Sequence, residues 1–184
     1  NNKLDRKGGL PAIEWKNGTK EYFKNGIRHR ENDLPAVEWC DNSYEYYFNG
    51  NLHRDNGLPA IISNGYLEYW VNGFRHRSGD LPAIENCDGT IQYWINGYRH
   101  RDNGLPAYIL SDGTTEYWYK GINITESESK KLHKLKMERI QKNVKKIFRN
   151  WYDNTYKIGK HAFISRMIRD MNELEDIIGH KLSY

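Results

Sequence analysis

Asn25-Gly26-Ile27-Arg28-His29-Arg30, Asn49-Gly50-Asn51-Leu52-His53-Arg54, Asn72-Gly73-Phe74-Arg75-His76-Arg77 and Asn96-Gly97-Tyr98-Arg99-His100-Arg101 are four copies of one hexapeptide. Six residues beyond each histidine stands a proline inside Leu-Pro-Ala: Pro35, Pro59, Pro82 and Pro106. A fifth Leu-Pro-Ala, at Pro11, has only Leu4-Asp5-Arg6 before it. The five prolines lie 24, 24, 23 and 24 residues apart and are all the prolines of the chain. A period of that length is the mark of a repeat array, in which each small unit buries its apolar face against its neighbours.

Each unit carries two turn signals. The first is Asn17-Gly18, Asn42-Ser43, Asn64-Gly65, Asp88-Gly89 and Asp112-Gly113; the second is Asn-Gly at 25, 49, 72 and 96, then Lys120-Gly121. Asn-Gly and Asp-Gly accept positive φ at both centres of a type I′ turn, so both sets predict tight hairpins and the whole predicts an antiparallel meander. Proline lacks an amide hydrogen and belongs at the first position of a strand. The alanine after it predicts close backbone approach. Between the turns run Glu21-Tyr22-Phe23, Glu45-Tyr46-Tyr47, Glu68-Tyr69-Trp70, Gln92-Tyr93-Trp94 and Glu116-Tyr117-Trp118. Strand neighbours point to opposite faces, so one tyrosine ladder and one ladder of Phe23, Tyr47, Trp70, Trp94 and Trp118 are expected. One of them packs; the other also packs, serves as a rail for a partner, or is covered by the tail. The third unit is a residue short around 61–63, which predicts a local irregularity there.

His29, His53, His76 and His100 fall one per unit, about 10 Å apart if a unit adds two strands. That is too far to share a metal with bonds near 2.1 Å. The expected role is structural, each imidazole bonding a neighbouring turn. Arg30, Arg54, Arg77 and Arg101 form a parallel row that either pairs with the strand glutamates or offers a phosphate-binding stripe. Nucleophile elbow, P-loop and dinucleotide fingerprint are absent, so a non-enzymatic protein without cofactor or metal is expected.

Mean hydropathy is −0.93 with 14% aromatic residues, a composition of short half-buried strands. Cys40 and Cys87 lie two units apart, which predicts free thiols. No apolar run nears the roughly 18 residues that span a bilayer. Residues 1–6 align on 49–54, which predicts that the sequence opens inside a unit of a longer parent. Residues 1–125 hold 14 Lys+Arg against 16 Asp+Glu, and 126–184 hold 14 against 8, so the net +4 is the sum of −2 and +6.

After Gly121 the period fails. Thr125-Glu126-Ser127-Glu128 or Ser127 can cap a helix, and Leu132, Leu135, Ile140, Val144, Ile147, Phe148 and Trp151 make an apolar stripe. Lys130, Lys131, Lys134, Lys142, Lys145, Lys146 and Arg149 occupy the opposite face. A break at 154–159 and a second amphipathic helix over Phe163, Met167, Met171, Leu174 and Ile178, closing at Gly179, complete an expected helical pair. Ile140-Gln141 followed by Lys145 and Arg149 resembles an IQ motif, the helix that calmodulin-like light chains grip. Lysine replaces its arginine, and the last basic residue comes one place early.

The unit Tyr-aromatic-x-Asn-Gly-x-x-His-Arg resembles the MORN repeat over residues 1–124. It departs in carrying Arg after His, and Leu-Pro-Ala where that repeat has a Gly-x-Gly strand. In this form it is similar to MORN-like proteins of amoeba-infecting giant DNA viruses. The resemblance implies a non-enzymatic scaffold for protein contact or self-association in the host cytoplasm, nucleus or virion, and it brings no catalytic residue. The expected architecture is a mainly β, elongated, twisted meander of five hairpin repeats (1–124) and a C-terminal helical pair (125–184). Two alternatives stay open: anionic phospholipid binding through the Arg ladder and basic helix, and nucleic-acid binding through that helix.

Overall fold

The computed structural model describes residues 4–6 and 8–155, with side chains as far as Trp151. The first unit contains β1 (Ile13–Glu14), β2 (Lys20–Glu21), β3 (Phe23–Lys24) and β4 (Ile27–Arg28). The next is β5 (Val37–Glu38), β6 (Tyr44–Glu45), β7 (Tyr47–Phe48) and β8 (Asn51–Leu52). Then come β9 (Ile61–Ser63), β10 (Tyr66–Glu68), β11 (Trp70–Val71) and β12 (Phe74–Arg75), followed by β13 (Ile84–Glu85), β14 (Ile91–Gln92), β15 (Trp94–Ile95) and β16 (Tyr98–Arg99). The last strands are β17 (Tyr108–Ile109), β18 (Thr115–Tyr119) and β19 (Ile122–Ile124), and one helix, α1 (Glu126–Thr155), follows.

The chain is mainly antiparallel hairpins in a large open sheet, but not the simple meander that two turns per unit suggest. Eleven strands form one sheet in the order β1-β2-β5-β6-β9-β10-β13-β14-β17-β18-β19, while β3-β4, β7-β8, β11-β12 and β15-β16 form four separate two-stranded hairpins. The division falls at the unit's tyrosine. Tyr22 donates its amide to Ala36 O of the next unit at 2.8 Å, and its carbonyl accepts from His29 N at 3.1 Å. Tyr46, Tyr69 and Tyr93 make the same two bonds with Ala60 and His53, Ala83 and His76, and Ala107 and His100. One residue thus serves the large sheet on one side and the small hairpin on the other, and the ladder changes partner there. In the last unit β18 runs straight through Tyr117, which pairs with Ile124 of β19. No following Leu-Pro-Ala offers Tyr117 an acceptor.

The register is constant across the sheet. Ile13, Glu21, Val37, Glu45, Ile61, Glu68, Ile84, Gln92, Tyr108 and Glu116 stand opposite one another in one row. The short third unit leaves this row intact. Its missing residue comes out of the turn, where Asn64-Gly65 links paired Ser63 and Tyr66 directly, so the expected local irregularity falls in the turn and spares the strands. Elsewhere the first turn is one residue longer. Trp15 N donates to Thr19 O, Gly18 N donates to Trp15 O, and Asn17 Oδ1 accepts from Thr19 N at 3.0 Å. That is a type I turn ending on a left-handed residue, not type I′. Asp41, Asp88 and Asp112 repeat the Asx bond to Ser43, Thr90 and Thr114. The second turns have both central φ positive, from Asn25 (53°) and Gly26 (81°) to Lys120 (49°) and Gly121 (83°), as type I′ requires.

Pairing begins at the alanine, one residue after each proline: Ala12, Ala36, Ala60, Ala83 and Ala107 donate to the last large-sheet residue of the neighbouring strand, at 2.8–2.9 Å. Ala36, Ala60, Ala83 and Ala107 have no exposed surface. With Tyr22, Val37, Tyr69, Ile84 and Tyr93 they make the buried core. α1 starts in a capping box: Thr125 Oγ1 accepts from Glu128 N, and Glu128 Oε2 accepts from Thr125 N. The helix runs unbroken to Thr155, past the start of the expected break; Phe163, Met167, Met171, Leu174, Ile178 and Gly179 lie outside the described residues.

Candidate interaction surface

Each repeat histidine spans two units. His29 Nδ1 accepts from Asn49 N, His53 Nδ1 from Asn72 N and His76 Nδ1 from Asn96 N, all at 3.2 Å; His100 Nδ1 lies 3.4 Å from Lys120 N. In the first three Nδ1 accepts, so the proton sits on Nε2, which meets Glu31 (3.2 Å), Asp55 (3.1 Å) and Ser78 Oγ (3.1 Å) in turn; His100 Nδ1 also lies 3.4 Å from Trp118 O, and its Nε2 3.4 Å from Asp102. Burial holds the His76 imidazole below its ordinary pKa of 6.5. Before the first full unit, Asp5 Oδ2 takes the histidine's place and accepts from Asn25 N at 3.2 Å.

The arginine after each histidine is consumed inside the array. Arg30, Arg54, Arg77 and Arg101 lie 3.5–3.7 Å from the ring centroids of Tyr22, Tyr46, Tyr69 and Tyr93. Their Nη1 atoms donate to the carbonyls of Pro35, Pro59, Pro82 and Pro106. Each also finds one carboxylate, but from alternating sources. Arg30 and Arg77 pair with Glu38 and Glu85, third after the proline; Arg54 and Arg101 bind Asp33 and Asp80, just before Leu-Pro-Ala, through Nε and Nη2. Where the first site is Ile62 or Ile109 the second is aspartate, and where the first is glutamate the second is Gly9 or Gly57. The alternation is visible in the sequence to anyone comparing those two positions, yet neither lies next to an arginine. Their side chains are 14–18% exposed, so these arginines do not form a free phosphate stripe. The Asp33 carboxyl is held below its ordinary range by the Arg54 bonds.

The strand glutamates serve a second set of arginines. Arg28 pairs with Glu21 at 2.5 Å, Arg75 with Glu68 at 3.0 Å, and Arg99 with Gln92 at 3.0 Å. Burial raises the Glu21 pKa, but the bonds from Arg28 and Trp15 outweigh it and hold that carboxyl low. These guanidiniums sit between the half-buried aromatics: Arg28 between Phe23 and Tyr47, Arg75 between Trp70 and Trp94, Arg99 between Trp94 and Trp118. Leu52 leaves a gap in the series. One indole per unit donates to the strand acid or amide. Trp15 and Trp39, just past β1 and β5, donate to Glu21 and Glu45; Trp70, Trp94 and Trp118, in β11, β15 and β18, donate to Glu68, Gln92 and Glu116. The tryptophan changes strand but keeps its acceptor, a swap the aromatic-pair reading overlooks.

With these groups engaged, the array presents apolar rows. Leu10, Leu34, Leu58, Leu81 and Leu105 are 39–51% exposed. After the second turns Ile27, Phe74, Tyr98 and Ile122 are 49–66% exposed. Three of them cover the next unit's turn glycine: a Cβ on Gly97 would lie 2.9 Å from Phe74 Cδ1, one on Gly50 3.0 Å from Ile27 Cγ2 and one on Gly121 3.3 Å from Tyr98 Cδ1.

α1 meets the last unit through Lys136, whose Nζ lies 2.8 Å from Asp102. A cavity of about 590 Å³ lies there, lined among others by His100, Tyr119, His133 and Arg139. Beyond it, Lys134, Lys142, Lys145, Lys146 and Arg149 are exposed, and Lys130 pairs with Glu126 at 2.5 Å. Cys40 and Cys87 are free and exposed. Among the described residues there is no cluster of three or more His, Cys, Asp or Glu able to hold a metal ion, and no helix is long and apolar enough to cross a membrane. No family model, curated protein or solved structure matches this chain.

Proposed function

We propose that residues 1–124 are five MORN-like units in an elongated, twisted array, followed by a helical segment. The protein is a non-enzymatic scaffold for protein–protein contact or structural assembly, working inside a host cell or in a virion of the giant-virus kind. One observation carries this reading. The repeated polar groups are spent on neighbouring units, while Leu10, Leu34, Leu58, Leu81 and Leu105, and Ile27, Phe74, Tyr98 and Ile122, recur exposed. Apolar rows rimmed by polar loops are the usual anatomy of a protein-contact surface.

The phospholipid reading loses its first element, because Arg30, Arg54, Arg77 and Arg101 would have to leave their carboxylates to meet a headgroup. The test compares the full chain with a Leu34→Ser, Leu58→Ser, Leu81→Ser variant of unchanged circular dichroism. A stoichiometric partner, or concentration-dependent self-association in sedimentation, is expected for the parent and lost in the variant. A parent that stays monomeric and captures nothing in stoichiometric amount, or a partner indifferent to the substitutions, would overturn the reading.

A further inference from the structure

The distal half of α1 belongs to none of the ladders, and its chemistry is of another kind. Residues 130–149 hold nine Lys or Arg and one acid, Glu138. Two of the nine are tied within the described residues, Lys130 to Glu126 and Lys136 to Asp102; the other seven form no ion pair there. Phe148 is 55% and Met137 41% exposed, while Ile140, Val144 and Ile147 are half-buried on the stripe between them. The proximal half is held against the array by Lys136 on Asp102 and by the close approach of Lys130 and His133 to Gly104, so the distal half projects from a held base.

We propose that α1 over residues 137–149 is a docking helix for an acidic protein with an apolar, helix-gripping groove, of the chemistry calmodulin-like light chains present. Charge complementarity selects an anionic partner, and the distribution of charge selects a groove over a plane. The apolar positions and Lys142, Lys145, Lys146 and Arg149 lie on opposite sides of the helix. A phosphate backbone uses only the cations, and a membrane surface takes the apolar side and the flanking cations while leaving Lys142 and Lys146, far from the stripe, turned to water. A groove that closes around a helix meets both, with apolar anchors inside and an acidic rim against the lysines. Ile140-Gln141 and Lys145 stand on this helix at the spacing such grooves grip. The proposal concerns a surface the array reading does not use, and either can fail alone.

The test is calorimetric titration of the full chain with purified calmodulin, with calcium and with chelator, at physiological salt. Saturable one-to-one binding in at least one state is expected. Phe148→Ala should weaken it about tenfold as an anchor is lost. Lys142→Glu, Lys145→Glu, Lys146→Glu combined should weaken it by about tenfold or more through like-charge repulsion, while Leu34→Ser, Leu58→Ser, Leu81→Ser leaves it unchanged. Helical circular dichroism must persist in each variant. Absence of binding overturns the proposal. So does binding indifferent to Phe148→Ala, which marks a mere polyanion contact, and so does tighter binding to single-stranded DNA or phosphatidylserine vesicles than to calmodulin.

Discussion

Ala83 lies in the array with no exposed surface, its amide and carbonyl both bonded to neighbouring strands, and Arg77 nearby is held by a ring, a carbonyl and a carboxylate. In α1, Phe148 is 55% exposed, and Lys142, Lys145 and Lys146 form no ion pair among the described residues. The array has little bulk apolar core and stands on repeated polar fits, each small and each dependent on the next unit. The helix owes its integrity to local bonds and to contacts at its base, Lys136 on Asp102 and the approach of Lys130 and His133 to Gly104. A change in the array should therefore spread to neighbouring units, whereas one in the distal helix should stay local.

Substituting Ala83→Leu attacks the tightest point. A larger side chain has no room, and about 3 kcal/mol should be lost, with the whole β signal melting earlier in urea. If only part of the signal moves, the units are less coupled than the shared bonds suggest. Gly97→Ala comes next, at about 2 kcal/mol for a Cβ forced into the left-handed region, plus the clash with Phe74. In the double substitution with Phe74→Ala the steric part should return and the backbone part should not.

Arg54→Ala removes a stacked guanidinium, its bond to Pro59 O and the Asp33 pair, and should cost about 1–2 kcal/mol. Asp33→Asn should cost less than Arg54→Ala, because Asp33 is half-exposed and water screens the pair. A double-substitution cycle measures their coupling.

Acid gives a smaller effect. With its folded pKa held below the unfolded 6.5, His76 contributes stability that is complete above about pH 6.5 and declines as pH falls through the folded value. The parent should lose stability across that window, and His76→Gln should lose less there. The smallest change is expected at Lys136→Met, which cuts the tether to Asp102. Urea melting of the array should shift by less than about 1 kcal/mol, while amide exchange in α1 near residue 136 speeds up.

Much of this was legible in the sequence. Leu-Pro-Ala, the second Asn-Gly turns and the hexapeptide with its histidine mark the period, and period 2 with tight turns leaves little but antiparallel pairing. The hand-over between sheets at Tyr22, Tyr46, Tyr69 and Tyr93 was not legible, because it arises from the tyrosine bonding two sheets at once. The first turns misled because Asn-Gly suits both a type I′ turn and the end of a type I turn, and the choice depends on one residue of loop length. At the candidate surface, the exposure of the leucine row and the consumption of Arg30, Arg54, Arg77 and Arg101 depend on packing that no local pattern reports. The carboxylate alternation and the tryptophan swap were in the letters all along, but as correlations across units rather than as motifs.

Asn49 N donates back to His29 Nδ1 and Gly50 N back to Arg28 O, while Tyr22 N donates forward to Ala36 O, so each link between units uses different groups on its two sides. Such a lattice has a sense, like a stack of cups. Its leading and trailing rims offer different chemistry, so a further module could be added in register only in the same orientation.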